Sequence, residues 1–183
     1  MNHADPRYLR PAFSRGNRVR RALWGVVWNL LFRTSPRPLF AWRSALLRLF
    51  GAQMEAHCHV YPGARVWAPW NLHCATGAAI ADEAIVYNPS PIRLGTHAIV
   101  SQQAYLCGAT HDADDPGFPL RSAPIEIGDY AWICARATVM PGVRVGARAV
   151  LALGSVATRD LPPGMICAGM PARPVRARGG GQA

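Results

Sequence analysis

One segment carries side chains suited to proton chemistry: Gly108-Ala-Thr-His111-Asp-Ala-Asp-Asp-Pro-Gly-Phe-Pro-Leu-Arg121. It is polar and broken by Gly and Pro, so it reads as a loop. Histidine is the natural general base near neutral pH, because its ordinary pKa lies close to 6.5. Position alone leaves two readings of His111, a base or a solvated loop side chain. The other histidines are His3, His57, His59, His73 and His97. His57 and His59 flank Cys58 and could share a metal only if the backbone bent there. The five cysteines (Cys58, Cys74, Cys107, Cys134, Cys167) are odd in number and lack paired or metal-type spacing. They read as reduced thiols, and Cys58 and Cys74 fall where a small apolar side chain packs inward.

The element that must position His111 is set by a six-residue ruler. Ile127, Ile133, Val139, Val145, Leu151 and Ala157 stand six apart, and Ala131, Ala137, Val143, Ala149 and Ser155 follow the first five by four. A helix repeats near 3.6 and an ordinary strand at 2, so neither accounts for this period. A parallel β-helix does, with one short strand and one corner in each rung. Carried backwards, the ruler picks up Met54, Val60 and Val66, then Cys74, Ile80 and Val86, then Leu94, Val100 and Leu106. Trp70 is a misfit. The step lengthens to eight at Val66–Cys74 and Val86–Leu94 and to 21 at Leu106–Ile127. Every third rung is therefore expanded. If three rungs make one triangular coil, the insertions stack at one corner, and the longest holds His111.

The chain is expected to comprise a helical arm over 1–50, a β-helix over 51–160 with an inserted loop at 107–124, and a tail over 161–183. All 20 basic residues are arginine and the net charge is +10. Residues 1–48 hold ten Arg against Asp5, a net of +9, while 49–183 hold ten Arg against nine acids. Apolar residues at helical spacing (Leu23, Val26, Val27, Leu30, Leu31, then Phe40, Trp42, Leu46, Leu49, Phe50) flank a break at Pro36 and Pro38. The longest apolar run is far short of the ~20 residues a spanning helix needs, and no secretory signal is visible. The arm has two readings. It caps the open end of the solenoid, or it lies on an anionic membrane through residues 1–48. The large aliphatics among the arginines argue against nucleic acid.

The ruler, the loop histidine after Ser101-Gln-Gln-Ala-Tyr-Leu106, Pro124-Ile-Glu-Ile-Gly-Asp-Tyr-Ala-Trp-Ile133 and Asp160-Leu-Pro-Pro-Gly-Met-Ile-Cys-Ala-Gly-Met-Pro-Ala-Arg173 together resemble the hexapeptide-repeat acyltransferases. Leu31-Phe-Arg-Thr-Ser-Pro-Arg-Pro38, Trp42-Arg-Ser-Ala-Leu-Leu-Arg-Leu-Phe-Gly51 and Pro69-Trp-Asn-Leu72 narrow the likeness to the colanic acid biosynthesis acetyltransferases. The resemblance implies an all-β solenoid, a left-handed parallel β-helix, assembled as a homotrimer with sites between subunits. It implies direct acetyl transfer from acetyl-CoA to a hydroxyl of a sugar or lipid-linked sugar in exopolysaccharide biosynthesis, with no metal required and no cysteine nucleophile. His111 matches the family's base, and Asn88 lies near its acceptor-site asparagine. Trp132 matches the aromatic near the thioester, Ala135 and Leu153 the pantetheine groove, Thr158 and Arg159 a polar pair at the cofactor end, and Arg173 and Arg176 the residues that meet the CoA phosphates. His111 is followed by Asp112 where sugar acetyltransferases of the family often have proline. The implied location is cytoplasmic, free or on the inner face of the cytoplasmic membrane.

Two other classes share the prism. A γ-type carbonic anhydrase needs three histidines around zinc, and the acids beside His111 (Asp112, Asp114, Asp115) are hard oxygen donors ill matched to that set. A catalytically silent scaffold has no use for an intact His111 together with Trp132, Arg173 and Arg176.

Overall fold

The computed structural model describes residues 13–179. His3, Asp5 and the outermost parts of the arm and tail lie outside them. Helix α1 (Arg15–Val27) runs through a π-helical turn at Trp28–Phe32, and α2 (Phe40–Leu49) follows the proline break. The chain then winds into a three-walled prism of parallel strands. Wall one stacks Gln53–Met54, Leu72–Cys74, Ile92–Leu94, Ile125–Ile127 and Arg144–Val145. Wall two stacks His59–Val60, Ala79–Ile80, Ile99–Val100, Trp132–Ile133, Val150–Leu151 and Met165–Gly169, closed by an antiparallel strand, Ala172–Ala177. Wall three stacks Arg65–Val66, Ile85–Tyr87, Tyr105–Cys107, Thr138–Val139 and Val156–Ala157.

The six-residue period becomes geometry in two ways. Residues on the ruler are the inward members of each strand: Met54, Cys74, Leu94, Ile127 and Val145 fill one side of the core and are all buried. The small residues four later line the corners. Ala78, Ala98, Ala131 and Ala149 form one buried column, and Ala84, Ala104, Ala137 and Ser155 another. A larger side chain there would collide with the coil above or below, since interiors are close-packed. Most tight corners also place a residue in the left-handed region, as at His57, Gly77, His97, Tyr130 and Arg148. At Gly77 an added Cβ would lie 2.3 Å from the His97 ring, so the His97 side chain occupies the space a larger residue at 77 would need. His57, His59 and His97 are exposed and His73 is half-buried, all on the outside of the prism. The ruler ends with a contraction, because Leu161 pairs with Val145 only four residues after Ala157.

The open end is closed by the arm, and the closure is chemical as well as steric. The first coil has no coil before it, and its carbonyls need donors. Arg48 donates to Met54 O (3.0 and 2.8 Å), Arg43 to Val60 O, Trp24 to Val66 O (2.7 Å) and Trp28 to Ala64 O (2.9 Å). Each wall thus receives at least one bond from a side chain that can only donate. Arg43 is fully buried and also donates to Ser35 Oγ and to the carbonyls of Pro36 and Arg37. Trp24, Phe32, Leu46 and Leu47 supply the apolar seal. The capping reading of the arm is therefore realised. Among the described residues no helix is long and apolar enough to cross a membrane.

Arg43→Met keeps the volume but leaves the Val60, Pro36 and Arg37 carbonyls without this donor. We expect it to lower unfolding free energy by about 3 kcal/mol in denaturant titration. A loss under about 1 kcal/mol would remove the guanidinium from its capping role.

Candidate active site

The three insertions do stack at one vertex, between walls three and one: Trp67–Asn71, Tyr87–Pro91 and Cys107–Pro124. The longest is a β-hairpin, Ala109–His111 pairing antiparallel with Leu120–Ser122, in which His111 faces Leu120. Its root is fixed. Gly108 N–H donates to Tyr87 O at 2.7 Å, where an added Cβ would lie 2.5 Å from that same oxygen, so the backbone approach needs glycine. Ala123 N–H donates to Gly108 O (3.1 Å), and Ser90 and Ser122 share a hydroxyl bond of 2.8 Å. The tip is held by short turns: Asp112 Oδ1 accepts from Asp114 N–H, Asp115 Oδ1 from Gly117 N–H (2.7 Å), and Phe118 N–H donates to Asp115 O. Phe118 takes a positive φ of 45° in doing so.

These turns bring Phe118 back onto His111. The rings stack at 4.6 Å with 7° between planes, and His111 Nδ1 lies 2.7 Å from Phe118 O. A carbonyl only accepts, so Nδ1 carries a proton, and in the neutral ring this leaves the lone pair on Nε2. The side chain is exposed on this chain. A loop histidine with one fixed tautomer and an open Nε2 is equipped to take a proton from a hydroxyl. The sequence did not point to Phe118. Its only trace there is the Pro-Gly-Phe-Pro run that closes the hairpin tip.

Asn88 is corrected by its surroundings. It is fully buried at this vertex, its Oδ1 accepting from Ala68 N–H (2.9 Å) and its Nδ2 donating to Ala68 O (2.8 Å). Both ends of the amide serve the coil before it, so on this chain the side chain has a structural task and is not open to solvent. Asn71 reinforces the same corner by donating to the carbonyls of Asn88 (3.0 Å) and Pro89 (2.8 Å).

The remaining candidates divide between two places. Thr158 and Arg159 are exposed on the same vertex as His111, two coils further on. Trp132, 42% exposed, stands on the outer face of wall two with its indole N–H on Ser101 Oγ (2.8 Å), a support the spacing did not reveal. Ala135 and Leu153 stack at the adjoining corner between walls two and three, with Gly154 N–H on Ala135 O, and Leu153 is 71% exposed. Arg176 pairs opposite Ile166 and Arg173 opposite Ala168, the outward residues that flank buried Cys167. A register shift between those pairs lets two arginines three apart share the outer face of wall two. In a three-walled prism the vertex of walls three and one lies opposite wall two. One chain therefore does not bring His111 to Trp132, Arg173 or Arg176.

Burial pushes the Cys58, Cys74, Cys134 and Cys167 thiols up, away from the thiolate form. Beside the hairpin root, burial and the neighbouring Cys107 raise Tyr105 well above its ordinary range. Among the described residues no three His, Cys, Asp or Glu side chains are grouped to hold a metal.

Because the stacked ring acts on His111 while the backbone supplies its hydrogen bond, Phe118→Ala removes only the former. With an aromatic pair contributing about 0.5–1.5 kcal/mol, a reaction that uses His111 as its base should slow roughly fivefold. A fall as deep as that of a His111 variant would mean the carbonyl had moved as well.

No family model matches the chain. WcaF of Escherichia coli strain K12, whose name assigns it to colanic acid biosynthesis as an acetyltransferase, is 34% identical over 166 residues, covering 91% of this chain and 91% of that protein. Among solved structures, a hexapeptide-repeat acetyltransferase of Vibrio cholerae, solved with acetyl coenzyme A, superposes with a TM-score of 0.83 at 24% identity over 93% of each chain. A galactoside acetyltransferase in complex with coenzyme A gives 0.79 at 21% identity over 91% of this chain and 84% of that one. The prism, its hexapeptide ruler and the near full-length identity to WcaF place this chain in the hexapeptide-repeat acetyltransferase family.

Proposed function

We propose that this protein is an O-acetyltransferase that moves an acetyl group from acetyl-CoA to a hydroxyl of a sugar or lipid-linked sugar in exopolysaccharide assembly. The observation that carries the reading is His111, with Nδ1 tied to Phe118 O and Nε2 open at an insertion vertex. A hydroxyl is too weak an acid to attack a thioester unaided at neutral pH. His111 Nε2 takes its proton as the C–O bond forms, then returns it to the departing thiolate, a contribution of typically 10²–10⁴ in rate. Bound acetyl-CoA supplies the activated carbonyl. Transfer is direct, in keeping with the burial that pushes the Cys58, Cys74, Cys134 and Cys167 thiols away from the thiolate form. The outer face of wall two suits the donor: Trp132 offers an aromatic surface, and Arg173 and Arg176 offer guanidinium groups matched to phosphates.

The opposition of vertex and face supports a homotrimer, in which the vertex of one subunit lies against wall two of the next. The acceptor is a small molecule or glycolipid met in the cytoplasm or at the inner face of the cytoplasmic membrane. The colanic acid assignment of WcaF supports the exopolysaccharide setting. The identity of the sugar is left to an acceptor panel, in which amino sugars test for N-acetylation.

Thiol release from acetyl-CoA is the assay. We expect His111→Ala to lower kcat about a thousandfold while the variant still binds CoA. Turnover that survives this change would overturn the base assignment, and a wild type that binds no CoA would favour a silent scaffold. Arg173→Ala and Arg176→Ala should each raise KM for acetyl-CoA about tenfold, from the loss of a charge-assisted bond, with kcat little changed. At acetyl-CoA too dilute for a Trp132 and Arg173 double variant to turn over alone, co-expressing it with inactive His111→Ala should restore activity in mixed oligomers. No restoration would place both halves of the site on one chain.

A further inference from the structure

We infer that the outer surface of the N-terminal arm is a docking face for an anionic lipid bilayer. Capping uses only one side of the arm: Trp24, Trp28, Phe32, Arg43 and Arg48 face the prism. The opposite side of α1 and of the π-helical turn that continues it carries Val19, Leu23, Val26 and Leu30, spaced four, three and four apart along one face. All four are more than half exposed, at 59, 57, 57 and 66%. Trp42 (44%) and Leu49 (77%) add exposed apolar surface from α2. The arm supplies half of the sixteen large hydrophobics exposed among the described residues, although it makes up under a quarter of them. The prism end is already sealed, so this surface does not serve the core.

Charge identifies the occupant. Residues 13–50 contain eight arginines and no acid. Arg15 precedes Val19 by one turn, Arg33 follows Leu30 by three, and Arg18 lies beside them, all exposed. None of the three pairs with an acid among the described residues. Arg20 and Arg21 lie over the rings of Trp70 and Trp67, and exposed Arg33 also lies 5.7 Å from the centroid of the Trp28 ring. A second copy of the same face would set arginine against arginine, which disfavours self-association through it. An apolar stripe bordered by unpaired arginines matches a helix lying in the interface plane of a negatively charged membrane, its apolar side in the acyl boundary and its guanidinium groups among the headgroups. The inference stands apart from acetyl transfer, since it needs neither substrate nor turnover.

Deleting the arm would strip the donors from the first coil, so surface substitutions on the full chain are the informative variants. We expect the protein to co-sediment at low salt with vesicles of phosphatidylethanolamine and phosphatidylglycerol, and not with phosphatidylcholine vesicles. Replacing Val19, Leu23, Val26 and Leu30 with Gln should lower partitioning at least tenfold without changing the unfolding midpoint by more than a few degrees. Arg15→Gln with Arg18→Gln should lower it roughly thirtyfold, from about 1 kcal/mol per arginine near the surface, and added salt should mimic the loss. Failure of the wild type to sediment, or binding that survives the four apolar substitutions, would overturn the inference. So would a stripe variant whose oligomeric state differs from wild type in the absence of lipid, since that would make the face a protein contact.

Discussion

The open end of the coil stack is the constraint on which the rest of this structure depends. A strand inside the prism satisfies its backbone groups on the coils either side, but the first coil faces nothing on one side. Unpaired, such an edge costs buried polar groups or recruits another chain. Here the carbonyls of Met54, Val60 and Val66, one from each wall, are met by Arg48, Arg43 and Trp24. Those side chains carry donors and no acceptors, so they cannot satisfy one another and are free for the edge. A basic, tryptophan-bearing segment is thus first a hydrogen-bonding lid. Its excess of charge beyond the two capping arginines is what requires a second explanation, and only the outward residues can supply one.

Much of this was legible because the period of a solenoid is itself a coordinate. Counting six fixed which residues face the core, counting four more fixed the corners, and three unequal steps fixed the vertex that carries His111. The count places backbones and says nothing of side-chain partners. Asn88 falls at an insertion, where an outward amide is expected. The eight-residue corner instead turns it inward onto Ala68, because an expanded corner leaves backbone groups that the regular ladder would have paired. Phe118 escaped for a related reason. Its carbonyl reaches His111 only after Asp112 and Asp115 have closed turns with their own side chains and Phe118 has entered the left-handed region. The direction of such a loop follows from several local bonds acting together, none of which has a spacing signature.

The same local bonds explain why a long exposed hairpin can present a group accurately. The two smaller insertions beneath it form a shelf. Asn88 pins Ala68, Asn71 pins Asn88 and Pro89, and Gly108 docks on Tyr87. The hairpin is a third layer on two that are already rigid, which is how a loop held by a scaffold acquires the precision of the scaffold. Asn88 therefore bears on the hairpin of His111 through the backbone it holds.

A prism of this stiffness cannot fold its vertex onto its opposite face. Catalysis by proximity needs the base and the acyl donor within a few ångströms and correctly aimed, yet within one chain His111 and the Trp132 face lie across the core from each other. Flexible folds solve this by closing a domain. A close-packed solenoid has no hinge to close, and its alternative is to let a second copy bring a face to the vertex. Each subunit would then contribute a base to one site and a donor surface to another. Under the proposed assembly, oligomerisation and activity would be one requirement, and the stiffness that separates the two halves in one chain would align them between two.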